Sequence, residues 1–125
     1  FDPSVVRRGL LHFDSVLLML LAVIHLKCAG EKMKIVTAVK FKVKEGCEAE
    51  FVKRYGESDC ADAIYCRLVS IGENEYLSIS EYFEVEKVLE AEESGVSWLD
   101  TIEHLLEFYG DSRTDAVSGH VVFEL

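Results

Sequence analysis

An α+β domain with the element order strand, helix, strand, strand, helix, strand is what residues 33–125 of this 125-residue chain predict. Three observations carry that prediction. Residues 35–43 alternate in hydrophobicity, a Gly-Glu-Asn-Glu reversal at 72–75 joins two runs of β-forming residues, and a stretch of helical spacing follows the first and the third of these runs.

In the first strand Ile35, Thr37, Val39, Phe41 and Val43 share one face, and Val36, Ala38, Lys40, Lys42 and Lys44 share the other. Val36 and Ala38 keep the start of the second face apolar, so both faces expect cover. Glu45-Gly46 breaks the strand, and Cys47 to Tyr55 reads as a short helix with Ala49, Phe51, Val52 and Tyr55 near one side. Residues 56–62 are a polar loop. Ala63 to Ile71 is a second strand, and the four-residue turn after it makes Tyr76 to Phe83 its antiparallel partner. Glu84 to Glu93 has helical propensity and is acidic. Ser94-Gly95 predicts a break, and the Ser97/Asp100 spacing of a capping box predicts a fresh helix from Trp98 to Tyr109, with Leu99, Ile102, Leu105, Leu106 and Tyr109 as its apolar stripe. Gly110 ends it, 111–119 is a polar connection, and His120 to Leu125 is the last strand. Strands and helices in this order give a ferredoxin-like four-stranded antiparallel sheet with both helices on one face. The other face, assigned Val36, Ala38, Tyr76 and Tyr82, then needs a cover, and a second copy of the chain supplies one.

Charge excludes one class of partner. The chain holds 13 Lys and Arg against 23 Asp and Glu, a net charge of −10. Because the first 32 residues hold four bases and three acids, the domain itself holds nine and 20 and stands at −11. Such a surface repels phosphate backbones, and no nucleic-acid partner is expected. Cys28, Cys47, Cys60 and Cys66 lack zinc-ligand spacing, and a chain that is half hydrophobic does not need disulfides, so they read as ordinary reduced thiols of a cytoplasmic protein with no metal.

Residues 1–32 lie outside the domain. The apolar run Val16 to Leu26 is shorter than the roughly 20 residues that span a bilayer, so no membrane insertion is expected. Two readings compete. Arg7 and Arg8 before that run and Cys28-Ala29-Gly30 after it resemble a signal peptide, which would make the protein secreted or periplasmic. Asp14 and Lys27 oppose this, and Met33-Lys34 opens directly into the first strand; the sequence favours an upstream extension of the reading frame.

The stretches Ile35–Gly46, Leu77–Glu84 with its Glu two places before an aromatic, the acidic helix, Trp98–Tyr109 and Thr114–Val122 resemble the antibiotic-biosynthesis-monooxygenase-like group of dimeric α/β-barrel proteins over essentially all of 33–125. The resemblance implies a homodimer whose two sheets face each other around a ligand-sized cavity. It also implies oxidation of polyketide-type aromatics or quinols without a metal or flavin, or haem degradation. Val39 stands where the haem-degrading members carry an essential Asn, and Glu86–Glu93 offers no counterpart of their haem-ligand His, so haem degradation is not expected.

Individual residues sharpen the expectation. Glu81 lies between Ile79 and Phe83 on a face expected to be buried, and a buried carboxylate needs a partner, which makes it either a partner of Arg67 or a catalytic acid. His120 is the second catalytic candidate, a proton shuttle at a cavity mouth. Tyr65, Tyr76 and Tyr82 place a ring and a hydroxyl together and are candidates to bind ligand, with Trp98. His104 phases to the surface, and Cys66 reads as a small core residue. No phosphate loop, nucleophile elbow or cofactor motif is present. The sequence thus predicts a homodimer that binds a small apolar or aromatic molecule and acts as a cofactor-independent monooxygenase; the alternative is a non-catalytic ligand-binding or stress-response dimer on the same fold.

Overall fold

The computed structural model describes residues 34–60 and 62–125. The expectations for residues 1–32, and for Cys28, lie outside the described residues. Strand β1 (Ile35–Val43) is central. It pairs antiparallel with β3 (Glu75–Tyr82) on one side and, end to end on the other, with β5 (Asp115–His120) and the two-residue β4 (Leu106–Glu107). Strand β2 (Tyr65–Gly72) completes the sheet on the outer side of β3. Helix α1 (Glu48–Gly56) connects β1 to β2, and α2 (Val85–Ile102) follows β3. This is the ferredoxin-like α+β arrangement that the sequence predicts, with β4 as an additional short strand.

Local chemistry sets the connections. Gly46 turns the chain out of β1 at φ 85°, a left-handed conformation that glycine takes without a Cβ clash. The hairpin reverses at Glu73-Asn74, with Asn74 at φ 59°, where its short polar side chain is tolerated.

The pairing register decides which residues share a face. Across β2, β3, β1 and β5, the rows Cys66–Ser80–Thr37–Ser118 and Leu68–Ser78–Val39–Ala116 lie on the helix side. The rows Tyr65–Glu81–Val36–Gly119 and Arg67–Ile79–Ala38–Val117 lie on the open side. Two apolar clusters hold the helices. Phe41, Val43, Phe51, Leu99, Ile102, Leu105 and Leu106 form one, in which the Phe51 ring lies 5.1 Å from Phe41 and 5.3 Å from Tyr76. Ile35, Tyr82, Val85 and Val88 form the other.

Several expectations need correction. Ser94-Gly95 does not interrupt the second helix: α2 runs unbroken through both, because Val85 and Val88 anchor it in one cluster and Leu99 and Ile102 in the other. A helical glycine costs only about 1 kcal/mol, which that packing exceeds. Ser97 and Asp100 are therefore interior to the helix, and the apolar stripe leaves it through a 3₁₀ turn at Glu103–Leu105. The last strand is Asp115–His120, not His120 to Leu125. Its register places His120 beside Ile35; beyond it the Val121 amide donates to the Lys34 carbonyl, and the exposed Glu124 carboxylate pairs with Lys34 Nζ at 2.9 Å. Beyond that point, Val122 and Phe123 are exposed. In α1 only Phe51 is buried, while Ala49 and Val52 face solvent. The two faces of β3 are the reverse of the expectation: Tyr76, Ser78, Ser80 and Tyr82 face the helices, and Leu77, Ile79 and Glu81 take the open side. Finally, Cys60 and Cys66 are joined as a disulfide, their Cα atoms 6.4 Å apart, and Cys47 is a free thiol. Among the described residues no helix is long and apolar enough to cross a membrane.

Candidate functional site

The two clusters do not meet. Between them the sheet presents Thr37, Ser78 and Ser80, and the facing stretch of α2 presents Ala91, Ser94 and Gly95. Small side chains on both walls cannot close the gap between a helix and a sheet, and a cavity of about 200 Å³ remains. A Cβ built at Gly95 would meet nothing within 4 Å, so the missing side chain is itself part of the hollow.

The walls are chemically sorted. Val39, Val88, Ala91, Val96 and Leu99 supply the apolar lining, and Tyr55 and Trp98 meet edge to face at 6.1 Å to form one aromatic end. Tyr82 closes the other end, beside the second cluster. The sheet wall carries hydroxyls. Tyr55 Oη and Ser78 Oγ share a hydrogen bond of 2.7 Å, and Thr37 Oγ1 bonds Ser118 Oγ at 2.9 Å. Burial pushes the Tyr55 hydroxyl above the ordinary tyrosine range; the Ser78 hydrogen bond opposes this and the nearby Tyr82 hydroxyl adds to it. Tyr55 is therefore a neutral hydroxyl at any physiological pH, able to donate to or accept from a ligand oxygen. The carboxylates that reach the cavity belong to Glu92 on α2 and Asp59 on the segment after α1, and the Cys60–Cys66 disulfide forms part of the rim.

Of the residues singled out in the sequence, Tyr82 and Trp98 line this cavity. Tyr76 faces the same side of the sheet but packs on Phe51, at 5.3 Å between ring centres, and does not reach the cavity. Tyr65 is on the open side, its ring beneath the Arg67 guanidinium at 5.2 Å. Glu81 is on the open side too, directly opposite Tyr65 and Val36. Among the described residues it forms no ion pair with Arg67, because the register puts Arg67 opposite Ile79 instead. The burial expected of Glu81 rested on giving Ile79 and Phe83 to the core face, and Phe83 is 62% exposed. His120 closes β5 beside Ile35 and lies outside the cavity lining. His104 is exposed on the 3₁₀ turn.

The hollow also lies between the sheet and the helices of a single chain, rather than between two sheets. Tyr55, Ser78, Ser80, Thr37, Glu92 and the disulfide escaped the sequence reading. The signal that marks them is a contrast of size: Ser78 and Ser80 sit between Tyr76 and Tyr82 on the helix side of β3, and Ala91, Ser94 and Gly95 sit between the anchors of α2. Among the described residues no group of three or more His, Cys, Asp or Glu is placed to hold a metal ion.

Two solved structures share this architecture. A NIPSNAP family protein of unknown function from Agrobacterium tumefaciens strain C58 superposes with a TM-score of 0.50 at 14% identity, over 73% of this chain and 90% of that one. A variant of MhuD, solved with two manganese protoporphyrin IX molecules per active site, superposes with a TM-score of 0.50 at 16% identity, over 73% of this chain and 97% of that one. No protein-family profile and no curated protein matches the chain. The chain thus shares the ferredoxin-like α+β fold of these two structures, at identities that carry fold and not function.

Proposed function

We propose that this protein binds a small aromatic or quinol-like molecule in the cavity between the sheet and α2, and oxidises it with dioxygen without a cofactor of its own. The supporting observation is the sorting of the walls: an aromatic and aliphatic lining, with the Tyr55–Ser78 hydroxyl pair at one end. A flat ring fits between Trp98 and the aliphatic side chains, and its oxygen meets Tyr55. The volume of about 200 Å³ suits one or two fused rings and is too small for porphyrins. The balanced reaction takes a quinol and dioxygen to a hydroxyquinone and water, the substrate supplying all four electrons, two from its quinol-to-quinone oxidation and two from the hydroxylated C–H bond. The chain's part is to desolvate the ring and to accept its phenolic proton on a carboxylate that reaches the cavity, for which Glu92 is the candidate.

The open sheet face supports a homodimer on the same reading. Val36, Ala38, Leu77, Ile79 and Val117 form an apolar band there, with Val117 57% exposed in the single chain. A second copy presenting the same band covers both, and light scattering at micromolar concentration tests it. A stable monomer refutes that arrangement.

The binding site is tested by calorimetric titration with naphthol. At roughly 0.5 kcal/mol per non-hydrogen atom the expected Kd is on the order of 0.1 mM. Ala91→Leu fills the hollow and is expected to abolish the heat while leaving the fold intact. Absence of saturable binding to the unaltered protein overturns the proposal. Dioxygen uptake with a naphthohydroquinone, above the rate of the Ala91→Leu protein, then separates the enzyme from a non-catalytic binding or stress-response dimer.

A further inference from the structure

The two serines of β3 are not equivalent. Ser78 and Ser80 stand two residues apart on the helix side, and both line the cavity. Tyr55 Oη occupies the Ser78 hydroxyl at 2.7 Å. The Ser80 side chain is only 8% exposed, and among the described residues its hydroxyl forms no hydrogen bond. Buried hydroxyls are paired as a rule, because an unpaired one forfeits its bonds to water. Directly opposite Ser80 in the sheet is Thr37, which also lines the cavity. Its Oγ1 bonds Ser118 Oγ and, as a hydroxyl, keeps capacity for a further bond. The sheet wall thus carries two polar stations: the Tyr55–Ser78 pair in one row of the register, and Ser80 beside Thr37 in the next.

Spacing and charge together select what can meet both stations. Residues two apart on a strand are separated by about 6.7 Å. A ring oxygenated at positions 1 and 4 presents its oxygens at opposite ends and reaches across such a gap, whereas adjacent oxygens crowd onto one station. Both stations are uncharged, and the carboxylates of Asp59 and Glu92 also reach the cavity, so an anionic group is desolvated there and repelled. We propose that Ser80, with Thr37 beside it, holds a second, neutral oxygen of the ligand and makes the cavity selective for the 1,4-quinol and 1,4-quinone class. The first oxygen meets Tyr55, and the second bonds the Ser80 hydroxyl. This rests on the binding reading given above and goes beyond it by naming the oxygenation pattern and the residue that selects it.

The first arm of the test needs no ligand. A hydroxyl that serves the ligand and not the fold adds nothing to the stability of the empty protein. Ser80→Ala should therefore melt at the temperature of the unaltered protein or above it, whereas Ser78→Ala, which deprives Tyr55 of its partner, should melt lower. A lowered melting temperature for Ser80→Ala overturns the proposal. The second arm is calorimetric titration under anaerobic conditions with 1,4-naphthalenediol and with 4-methyl-1-naphthol, which carries a methyl group in place of the second hydroxyl. Ser80→Ala is expected to weaken the diol about fivefold and to leave the methyl compound within about twofold. Equal weakening of both, or an unchanged affinity for the diol, overturns the proposal while the binding reading stands. A fivefold loss of 1,2-naphthalenediol in the same variant overturns the assignment to the 1,4 class. If the unaltered protein binds none of the three saturably, the binding reading fails and this one fails with it.

Discussion

The helix-covered face of this sheet is solid at its ends and hollow in its middle. At one end, Phe41, Phe51, Leu99 and Ile102 are buried with ring contacts near 5 Å; at the other, Ile35, Tyr82, Val85 and Val88 close tightly. Between them, on the same strands and the same helix, Thr37, Ser78 and Ser80 face Ala91, Ser94 and Gly95 across open space. The strands and the helix run through all three regions, and the side chains of the middle are the smaller ones. Stability is concentrated in the ends, which lets the middle carry polar groups and empty volume that a core this small would not otherwise tolerate.

The largest expected effect comes from the solid end. Phe51 is fully buried and touches Phe41, Tyr76 and Trp98. Phe51→Ala is expected to cost about 3–5 kcal/mol, read as a lowered denaturant midpoint. A loss below about 1 kcal/mol would mean that the ends do not carry the fold. The hollow should behave in the opposite way. Gly95→Ala places a methyl group where nothing lies within 4 Å and removes a helical glycine, so the protein should gain about 1 kcal/mol. Destabilisation by thermal melting would show that the space at Gly95 is not empty in solution.

The same contrast explains what was legible in the sequence. The period-two pattern of β1, the hairpin turn and the order of elements needed only local rules, and they give the fold. Sheet faces needed more. On β3, alternation separates Tyr76, Ser78, Ser80 and Tyr82 from Leu77, Ile79 and Glu81, but hydrophobicity ranks the second set as the core face. The serines face inward because they line a cavity, and the aliphatic residues face outward because that side of the sheet is an open apolar band. The hollow thus inverted the burial rule, and the same inversion made Ser94-Gly95 read as a helix break when it is the cavity's roof. The apolar HVVFEL ending misled for a different reason: composition favours a strand, but the described part of β1 offers no partner beyond Lys34. Of the candidate site residues only Tyr82 and Trp98 fall in the cavity, both placed there by elements that pattern alone located. Glu92 and the Cys60–Cys66 pair depend on long-range placement that no local pattern encodes.

A smaller effect is expected at the edge of the hollow. Tyr55→Phe removes the hydroxyl that bonds Ser78, beside a cavity large enough to admit water, so the stability loss should stay near 0.5 kcal/mol. If Tyr55 meets the ligand oxygen, naphthol binding weakens about tenfold while binding of naphthalene, which lacks the hydroxyl, is unchanged. Equal weakening of both would assign Tyr55 a packing role only.

The subtlest difference between a hollow and a packed setting lies in two tyrosine hydroxyls. Burial raises both, but Ser78 hydrogen-bonds Tyr55, whereas Tyr109 Oη is buried without a hydrogen-bond partner and also meets the charges of Glu75 and Asp115. Tyr109 is pushed up to about 12 from 10.0. A raised folded value means that the native state holds its proton while the unfolded chain has lost it. The contribution of Tyr109 is therefore fully present below pH 10 and is lost as pH rises from 10 toward about 12. Alkaline titration followed by tyrosinate absorbance should show a late step near pH 12 that belongs to Tyr109. Tyr109→Phe should remove that late step and reduce the loss of stability over this interval, whereas Tyr55→Phe should leave the late step in place. A late step that survives Tyr109→Phe would move the more strongly desolvated hydroxyl to the cavity, and would make the hollow drier than its open rim implies.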